Sequence, residues 1–413
     1  MPDVAVIGAG VVGVACARAL QRDGHRVTIY DPEPPGRGAS FGNAGHIAVD
    51  HIRPLSRLDI LAQVPRMLAD PLGPLAIRWR DAPALVPWLA RFAWASRPAQ
   101  EERGTTALAA LLRLATAAWH EELRGSNLAG LFRARGSMVV YHTDRAFAAG
   151  EAERALLRRH GIGVETMDGD AARARAPGLG PQIRHATYYP AASHLIDPYG
   201  LVTGLAEAFR RDGGGIETEA VIGCTAEGDK VRTLVTTRGP VAVDAVVLAA
   251  GLGSGLIAPV LGLKLPLVAE RGYHVMLEAP AARFGVPVTW GEYGFVLTPM
   301  EGNGIRLAGT VELASAAAPP SWARADILIK HAARLFPELG GRETSRWMGM
   351  RPTLPDYLPA LGPSPRHRNL FVACGHQHIG LTTAAISAQI IRDLIAGKAP
   401  AIDIAPFAPG RFG

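Results

Sequence analysis

The hydrophobic positions at the start of the chain predict a strand, a turn, a helix and a second strand in close succession. Residues 3–7 form a short apolar run, residues 11–23 have the pattern of a buried helix, and residues 26–30 are again strand-like. The turn reads Gly8-Ala9-Gly10-Val11-Val12-Gly13, and Asp31 ends the second strand. This order and spacing predict a dinucleotide-binding strand–turn–helix–strand unit.

The residue types of this unit suit the binding of a pyrophosphate. Gly8 permits the tight turn, Gly10 lets the backbone approach the phosphates, and Gly13 lets the helix pack closely on the strand. The N-terminus of the helix then points free N–H groups at the negative charge. Asp31 is the expected acceptor for the two ribose hydroxyls.

The rest of the chain alternates between predicted helices and strands. Asp197 is a good N-cap and Pro198 a good first residue for a helix that reaches Asp212. The other predicted helices cover residues 60–68, 84–95, 145–161, 321–335 and 381–396. The other predicted strands cover residues 137–142, 216–222, 232–238, 241–243, 245–249 and 370–373, and strands dominate up to residue 312.

Two segments keep more than one interpretation. Residues 36–46 are rich in small side chains, which suits either backbone contact with a ligand or an ordinary loop. Residues 53–119 carry apolar helical pieces, which suit a hydrophobic core, a substrate pocket or a membrane-facing patch. The tryptophans of this second segment are Trp79, Trp88, Trp94 and Trp119.

Composition narrows the class of protein. The chain has 413 residues, of which 48% are hydrophobic and 19% charged, so disordered and fibrous chains are excluded. Three widely spaced cysteines allow no disulfide framework or cysteine zinc cage, and they favour the cytoplasm. The formal charge of +6 comes from scattered arginines without a basic run, so no nucleic-acid partner is expected. Residues 245–263 are uncharged but interrupted by glycines, so no transmembrane segment is predicted.

Taken together, the motifs of the chain resemble a known family. They occur in the order and at the spacing of the FAD-dependent D-amino acid dehydrogenases, within the D-amino acid, glycine and sarcosine oxidase superfamily. The stretch 53–186 matches only in general character, so the motifs are specific for the superfamily and not for the substrate. The residues that carry the resemblance are 6–13, 39–45, 247–251, Arg271-Gly272-Tyr273, 349–356 and 375–382.

The resemblance implies an α/β fold in two parts. One part is a Rossmann-like FAD-binding domain assembled from the discontinuous segments 1–50, 145–180, 197–265 and 345–413. The other is an α+β substrate domain with a large antiparallel sheet, expected from residues 51–144, 181–196 and 266–344.

The resemblance also extends the set of residues expected to bind FAD. Ser40, Asn43, Ala44 and Gly45 are expected beside the pyrophosphate and flavin ring, and Val221 is expected to contact the adenine through its backbone. The last helix is expected to point its N-terminus at the flavin. Further cofactor-binding residues implied in this way are Ala250, Gly251, Gly349, Gly375, His378, Ile379, Gly380, Leu381 and Thr382.

The chemistry implied is oxidation of an amine, in which a hydride leaves the substrate Cα for flavin N5. The resulting imine is hydrolysed to a 2-oxo acid and ammonia. Arg351 is expected to hold the substrate carboxylate, because a guanidinium binds a carboxylate in two places at a fixed angle. Tyr273 is either a second donor to that carboxylate or a core residue. His46 and His378 are candidate residues beside the amine, although His46 also suits a structural role.

FAD is expected to bind without a covalent bond. The sarcosine-type relatives attach flavin to a cysteine at the position that Gly349 occupies here. His376 and His378 have a metal-like H-x-H spacing, but no third ligand is evident, so no metal is expected.

The leading hypothesis is therefore a cytoplasmic D-amino acid dehydrogenase that passes electrons to a quinone or another acceptor. A second hypothesis within the same fold is a dehydrogenase or oxidase of secondary amino acids such as D-proline, hydroxy-D-proline, sarcosine or another N-substituted glycine. A third, from another class, is a flavin-bearing subunit of a membrane-associated complex. Contact with the inner face of a membrane stays open in all three.

Overall fold

The computed structural model describes residues 2–71 and 73–413. In chain order its strands are β1 (Asp3–Ile7), β2 (Arg26–Asp31), β3 (His46–Ile47), β4 (Leu75–Ile77), β5 (Phe132–Arg133), β6 (Ser137–Tyr141), β7 (Glu165–Asp168), β8 (His185–Tyr189), β9 (Ser193–Leu195), β10 (Gly215–Thr218), β11 (Val221–Glu227), β12 (Lys230–Thr236), β13 (Gly239–Ala242), β14 (Ala245–Leu248), β15 (Val268–Glu278), β16 (Val288–Trp290), β17 (Phe295–Pro299), β18 (Gly304–Leu313), β19 (Arg342–Thr353), β20 (Ala360–Pro363) and β21 (Leu370–Cys374). Its α-helices are α1 (Val11–Arg22), α2 (Leu58–Ala69), α3 (Ala82–Ala95), α4 (Pro98–Glu122), α5 (Asp144–Ala149), α6 (Glu151–Arg159), α7 (Gly169–Arg175), α8 (Pro198–Arg211), α9 (Ser254–Ile257), α10 (Ala323–Leu335) and α11 (Gly380–Ile395).

A six-stranded sheet forms the first layer, in the order β10-β2-β1-β14-β21-β20. The first five strands are parallel, and β20 is antiparallel at the edge. Alternate side chains of β1 enter two different cores. Val4 and Val6 pack with helices α1, α4, α8 and α11 on one face, whereas Ala5 and Ile7 pack with the hairpin sheet β11-β12-β13 on the other. Burial on both faces is what a central parallel strand requires.

The second layer is a nine-stranded sheet, mostly antiparallel, whose main path is β19-β15-β18-β17-β16-β6-β8-β7. Strand β4 joins it by pairing with β18. Helix α10 packs on one face of this sheet, where Ala325 and Leu328 meet Val275. The opposite face covers the loop after β2. The predicted fold class, a Rossmann-like part with a large antiparallel sheet, is therefore confirmed.

A small sheet, β3-β9-β5, connects the two layers. His46 pairs with His194, and Phe132 pairs with Leu195, so three distant segments meet at one strand. The pairing of β3 with β9 fixes His46, the last residue of the loop after β2, in place.

The structure divides some segments differently from the expected domains. Strand β7, expected with the FAD-binding segment 145–180, pairs with β8 in the nine-stranded sheet. Strand β19 belongs to that sheet as well, so the expected boundary at residue 345 falls inside a strand. Helix α4, expected in the substrate domain, contributes to the core around α1 and α11. Contacts between segments far apart in the chain decide to which sheet or core each of these elements belongs. Local sequence patterns do not contain this information.

Two predicted elements are each split in two. The helix predicted over 145–161 is interrupted at Gly150, which caps α5 through its N–H. The strand predicted over 216–222 becomes β10 and β11, which lie in different sheets. Among the tryptophans of 53–119, Trp88 and Trp119 are buried, whereas Trp79 and Trp94 are exposed.

Candidate active site

The glycine-rich turn between β1 and α1 forms one end of the candidate site. Gly8 has a φ of +114°, and a Cβ there would lie 2.5 Å from the carbonyl oxygen of Ala249, so the turn requires glycine. The Asp31 carboxylate accepts hydrogen bonds from the N–H of Ala9 at 2.7 Å and of Glu33 at 2.9 Å. Burial raises the pKa of this carboxyl group, while the two N–H donors oppose the shift. Asp31 thus holds the turn as well as facing the cavity beside it.

A cavity of about 490 Å³ runs from this turn to the space beneath β19. Its walls come from the loop 36–46, the segment after β14, strands β15, β18 and β19, and the segment between β21 and α11. Most of the predicted site residues line it: Gly8, Ala9, Gly10, Val11, Val12, Asp31, Ser40, Asn43, Ala44, His46, Ala250, Gly251, Tyr273, Gly349, Arg351, Gly375, His378, Gly380 and Leu381.

Five predicted residues lie outside the cavity wall: Gly13, Gly45, Val221, Ile379 and Thr382. Gly13 acts through packing, because a Cβ there would lie 1.9 Å from the carbonyl oxygen of Gly8. The Thr382 hydroxyl accepts from the N–H of Ala48 at 3.2 Å and therefore ties α11 to the segment after β3. The Val221 side chain is buried in the core beside β1, and the expected contact of its backbone with the adenine stays a prediction. These positions support the cavity from behind.

The loop 36–46 is held from both layers. The Ser40 hydroxyl accepts a hydrogen bond from the N–H of Val11 at 3.0 Å. From the nine-stranded sheet, His274 Nδ1 donates to the carbonyl oxygen of Gly42 at 3.0 Å, and Arg306 donates to the carbonyl oxygen of Asn43. Burial lowers the pKa of His274 to about 4, so this donor is neutral at neutral pH. The loop is thus an ordered wall and not an ordinary flexible connection.

Arg351 lies on β19, and its side chain crosses the face of the neighbouring strand β15 and lines the cavity. Its Nη1 donates to the buried carboxylate of Glu270 at 3.1 Å. A Cβ at Gly272 would lie 2.3 Å from Arg351 Nη2, so the guanidinium rests directly on the bare backbone of β15. The guanidinium has five N–H donors, and those that Glu270 leaves free are available to a ligand in the cavity.

A tryptophan covers the neighbouring part of the same strand. A Cβ at Gly349 would lie 1.8 Å from the Trp347 ring, and a Cβ at Gly42 would lie 2.0 Å from it. The indole also stacks on His274 with ring centres 5.3 Å apart. Trp347 and Arg351 therefore stand on either side of Gly349 and face the cavity together.

The two candidate histidines are neutral. Burial lowers the pKa of His46 to about 3, and its Nε2 lies 3.2 Å from the Thr298 hydroxyl. Burial also lowers the pKa of His378 well below its usual value, with His51 and Arg351 adding to the shift. At neutral pH both imidazoles can exchange hydrogen bonds with a ligand, but neither carries a charge.

The structure does not support a role for Tyr273 in holding a carboxylate. Successive side chains of a strand point to opposite faces, so Tyr273 points away from the face that Gly272 shares with Arg351. Its hydroxyl donates to Glu312 at 2.5 Å and accepts from the N–H of Ser321 at 2.9 Å. Tyr273 belongs to the core beneath α10 and meets the cavity only at its wall.

Sequence reasoning missed Glu270 and Trp347. Both could have been found from strand alternation, because Glu270 is two residues before Gly272 and Trp347 is four residues before Arg351. Their pairing across the two strands could not, since no local pattern sets the register between β15 and β19.

The H-x-H pair does not converge on one point. Both residues line the cavity, but His376 Nε2 lies 3.1 Å from the hydroxyl of Ser387, which is buried in the core, so this ring nitrogen is already engaged. Over residues 2–71 and 73–413, no group of three or more His, Cys, Asp or Glu side chains is arranged to hold a metal ion.

A Rossmann-like sheet with a glycine turn, covered by an antiparallel sheet that carries an arginine, is the arrangement expected of a dinucleotide-dependent oxidoreductase. Residues 3–394 match the family model described as FAD dependent oxidoreductase. The chain is 35% identical to the D-amino-acid oxidase of Bradyrhizobium diazoefficiens over 100% of both chains. It is 33% identical to D-amino acid dehydrogenase 2 of Ralstonia nicotianae, over 99% of this chain and 100% of the relative.

Among solved structures, glycine oxidase from Geobacillus kaustophilus matches with a TM-score of 0.79 and 25% identity, over 100% of this chain and 99% of the other. The chain therefore belongs to this family of FAD-dependent oxidoreductases, and it is an enzyme. The cavity fits the cofactor, because backbone N–H groups and an acidic residue meet at one end and a wide ordered wall continues to the other.

Two glycines of the turn, Gly10 and Gly13, give a first prediction. In Gly10→Ala the nearest atom to the new Cβ is Ser40 Oγ at 3.5 Å, an ordinary contact, so the apoprotein should keep its melting temperature. The methyl group would stand where the pyrophosphate approaches, so FAD affinity should fall by about tenfold or more. Flavin fluorescence titration and thermal unfolding of the apoprotein measure the two effects.

Gly13→Ala is the matched control. Its Cβ would collide with the carbonyl oxygen of Gly8, so the apoprotein itself should lose about 1–3 kcal/mol of stability. Normal FAD binding by Gly10→Ala, or equal unfolding of both apoproteins, would contradict this assignment of the two glycines.

Proposed function

We propose that the enzyme oxidises the C–N bond of a free D-amino acid, giving a 2-oxo acid and ammonia. The observation that carries the proposal is Arg351, a cavity-facing guanidinium whose orientation is set by Glu270 and Gly272. The names of the relatives, D-amino-acid oxidase and D-amino acid dehydrogenase 2, support the substrate class and its stereochemistry.

In this proposal the residues of the chain bind and orient the substrate. The free N–H donors of Arg351 bind the carboxylate in two places and fix the direction of the Cα–H bond. FAD, when bound, supplies the hydride acceptor. Loss of the hydride from Cα and of one proton from nitrogen leaves an imine, which water converts to the 2-oxo acid and ammonia.

The histidines contribute hydrogen bonds rather than charge. Burial lowers the pKa of His46 to about 3 and that of His378 well below its usual value, so both rings are neutral at neutral pH. A substrate amine beside them meets no cationic imidazole, and neither ring is a strong base. The amine must therefore reach the reaction already neutral or release its proton to water.

The electron acceptor is proposed to be a quinone or another non-oxygen acceptor. The relatives carry both names, oxidase and dehydrogenase, so oxygen is the competing acceptor: faster reoxidation of the reduced enzyme by dissolved oxygen than by a soluble quinone would contradict this part of the proposal. Secondary amino acids such as D-proline and sarcosine are the competing substrates.

The experiment is anaerobic mixing of the holoenzyme with D- and L-amino acids, D-proline, hydroxy-D-proline and sarcosine, followed by flavin absorbance. Primary D-amino acids should bleach the flavin, and their L-enantiomers should not. Arg351→Met should lower the apparent second-order rate of bleaching by about 100-fold or more, since a partly buried charge pair contributes about 2–5 kcal/mol.

Arg346→Met is the control, because Arg346 lies on the same strand but pairs with Glu343 and Asp326 on the opposite face. It should bleach like the unchanged enzyme. If only the secondary amino acids bleach the flavin, the proposed substrate class is wrong and secondary amino acids are the substrates. If no compound bleaches the flavin, the proposal is overturned.

FAD is proposed to be held without a covalent bond. Cys374, the cysteine at the cavity wall, is buried, and burial raises the pKa of its thiol to about 12, so it is not a nucleophile. Gly349 is covered by Trp347, which leaves no room for a reactive side chain at that position. Unfolding the holoenzyme in guanidinium chloride and filtering it should release all the yellow colour; colour retained with the protein would contradict the proposal.

A surface on α3 and the turn before it is proposed to contact anionic membrane lipid. Trp79 and Trp94 are 71% and 65% exposed, and Val86 lies between them at 60%. Arg80 and Arg91 in the same two elements are exposed as well. Tryptophan and arginine side by side suit the interface of an anionic bilayer. Along the described parts of the chain, no helix combines the length and hydrophobicity needed to cross a membrane.

Co-sedimentation with vesicles tests this contact. The enzyme should pellet with phosphatidylglycerol vesicles at low salt and much less with phosphatidylcholine vesicles. The double variant Trp79→Ala/Trp94→Ala should stay in the supernatant, whereas Leu256→Ala, which removes a side chain 83% exposed elsewhere, should still pellet. Equal pelleting of both variants, or none by the unchanged enzyme, would contradict the proposal.

A further inference from the structure

A buried carboxylate lies directly beside the substrate arginine. Glu270 is 2% exposed and sits opposite Arg351 in the register of β15 and β19. One of its oxygens accepts from Arg351 Nη1 at 3.1 Å. The other accepts from the hydroxyls of Tyr357 at 2.9 Å and Thr353 at 3.2 Å. A buried charge costs free energy unless it is paired in this way, so the arrangement determines where the carboxylate stands.

The far side of this network reaches the segment that precedes α11. Tyr357 has a φ of +56°, and its carbonyl oxygen accepts a hydrogen bond from the side chain of Gln377. Gln377 itself has a φ of +46° and lines the cavity next to His378. Two residues in the left-handed region are thus held by contacts to each other, and Glu270 joins them to Arg351.

We infer that Glu270 is a positioning residue, which sets the direction of the Arg351 guanidinium and through it the orientation of the substrate. This inference rests on the proposed role of Arg351 in holding the carboxylate. Glu270 acts by occupying Nη1, so that a ligand meets the remaining edge of the fork at one angle. Gly272 also contributes, because the Arg351 guanidinium occupies the space where a Cβ of any other residue at position 272 would stand.

The inference predicts different effects on the affinity for a carboxylate and on the rate of hydride loss. A glutamate with only a structural role would change both together. The attraction between Arg351 and a carboxylate comes from the charge of the guanidinium, which stays when Glu270 is neutralised. Removing the countercharge even strengthens it. The rate of hydride loss depends instead on the angle at which the substrate is held, because a misplacement of about 1 Å costs roughly 100-fold.

The test is Glu270→Gln, which keeps the shape of the side chain and an acceptor oxygen but removes the charge. Stopped-flow reduction of the holoenzyme by a D-amino acid yields the limiting rate and the substrate dissociation constant separately. Propionate, which has a carboxylate but no amine, measures binding at Arg351 alone through its perturbation of the flavin spectrum. The limiting rate should fall about 10- to 100-fold, while propionate should bind as tightly as before or more tightly.

Glu312→Gln is the matched control. Glu312 is the buried partner of Arg271 and Tyr273 in the same sheet, but it lies on the face away from the cavity. This variant should lose melting temperature and keep both the limiting rate and the affinity for propionate. It therefore shows what loss of a buried carboxylate alone does.

The outcomes distinguish this inference from the proposed function. If Arg351→Met leaves propionate binding unchanged, the proposed role of Arg351 fails and the inference fails with it. If Arg351→Met abolishes propionate binding but Glu270→Gln keeps the limiting rate, only the inference is overturned. A Glu270→Gln enzyme that weakens propionate binding and loses rate in proportion would mark Glu270 as structural and also overturn it.

Discussion

The hydrogen-bond register between β15 and β19 is the constraint on which the candidate site depends. It sets Glu270 opposite Arg351 and Gly272 opposite Gly349 on the face above the cavity. Because neither glycine has a side chain, the surface of the sheet is low at these two positions. The Arg351 guanidinium lies over Gly272 of β15. A slip of one residue in either strand would turn that strand's side chains to the other face and would separate Glu270 from Arg351. Tyr273 and Val275, which alternate with these residues on β15, are buried in the core beneath α10. This burial fixes the register and therefore the positions of the site residues.

The same sheet also holds the cofactor-side loop through main-chain carbonyl groups. The oxygens of Gly42 and Asn43 accept from His274 and Arg306, which point down from neighbouring strands. Burial lowers the pKa of Arg306 to about 10, so its charge is only weakly compensated and favours nearby oxygen atoms. Because the donors are side chains of the sheet and the acceptors are backbone groups of the loop, the sheet fixes the path of the loop through its main chain.

Features of the fold and site that depend on residues close together in the chain could be predicted from the sequence, whereas those that depend on distant residues could not. The turn at Gly8 and the acidic Asp31 belong to one local unit, so their pattern predicted both the fold and the cofactor end. Arg351 was predicted by resemblance to a family, and the structure brings it to the cavity. The orientation of Tyr273 and the pairing of Glu270 could not be predicted, because each depends on which face of a long strand meets α10 and on a register set by partners far along the chain.

The pairing of Glu270 also bears on the chemistry of an amine. Hydride loss from Cα draws on the lone pair of nitrogen, so an ammonium group must give up its proton first. An unpaired carboxylate at this depth would hold that ammonium in its charged form. Glu270 is instead paired through one oxygen with Arg351 and through the other with two hydroxyl groups, and His46 beside the cavity is neutral. The geometry that aims the arginine thus also keeps the buried anion away from the amine.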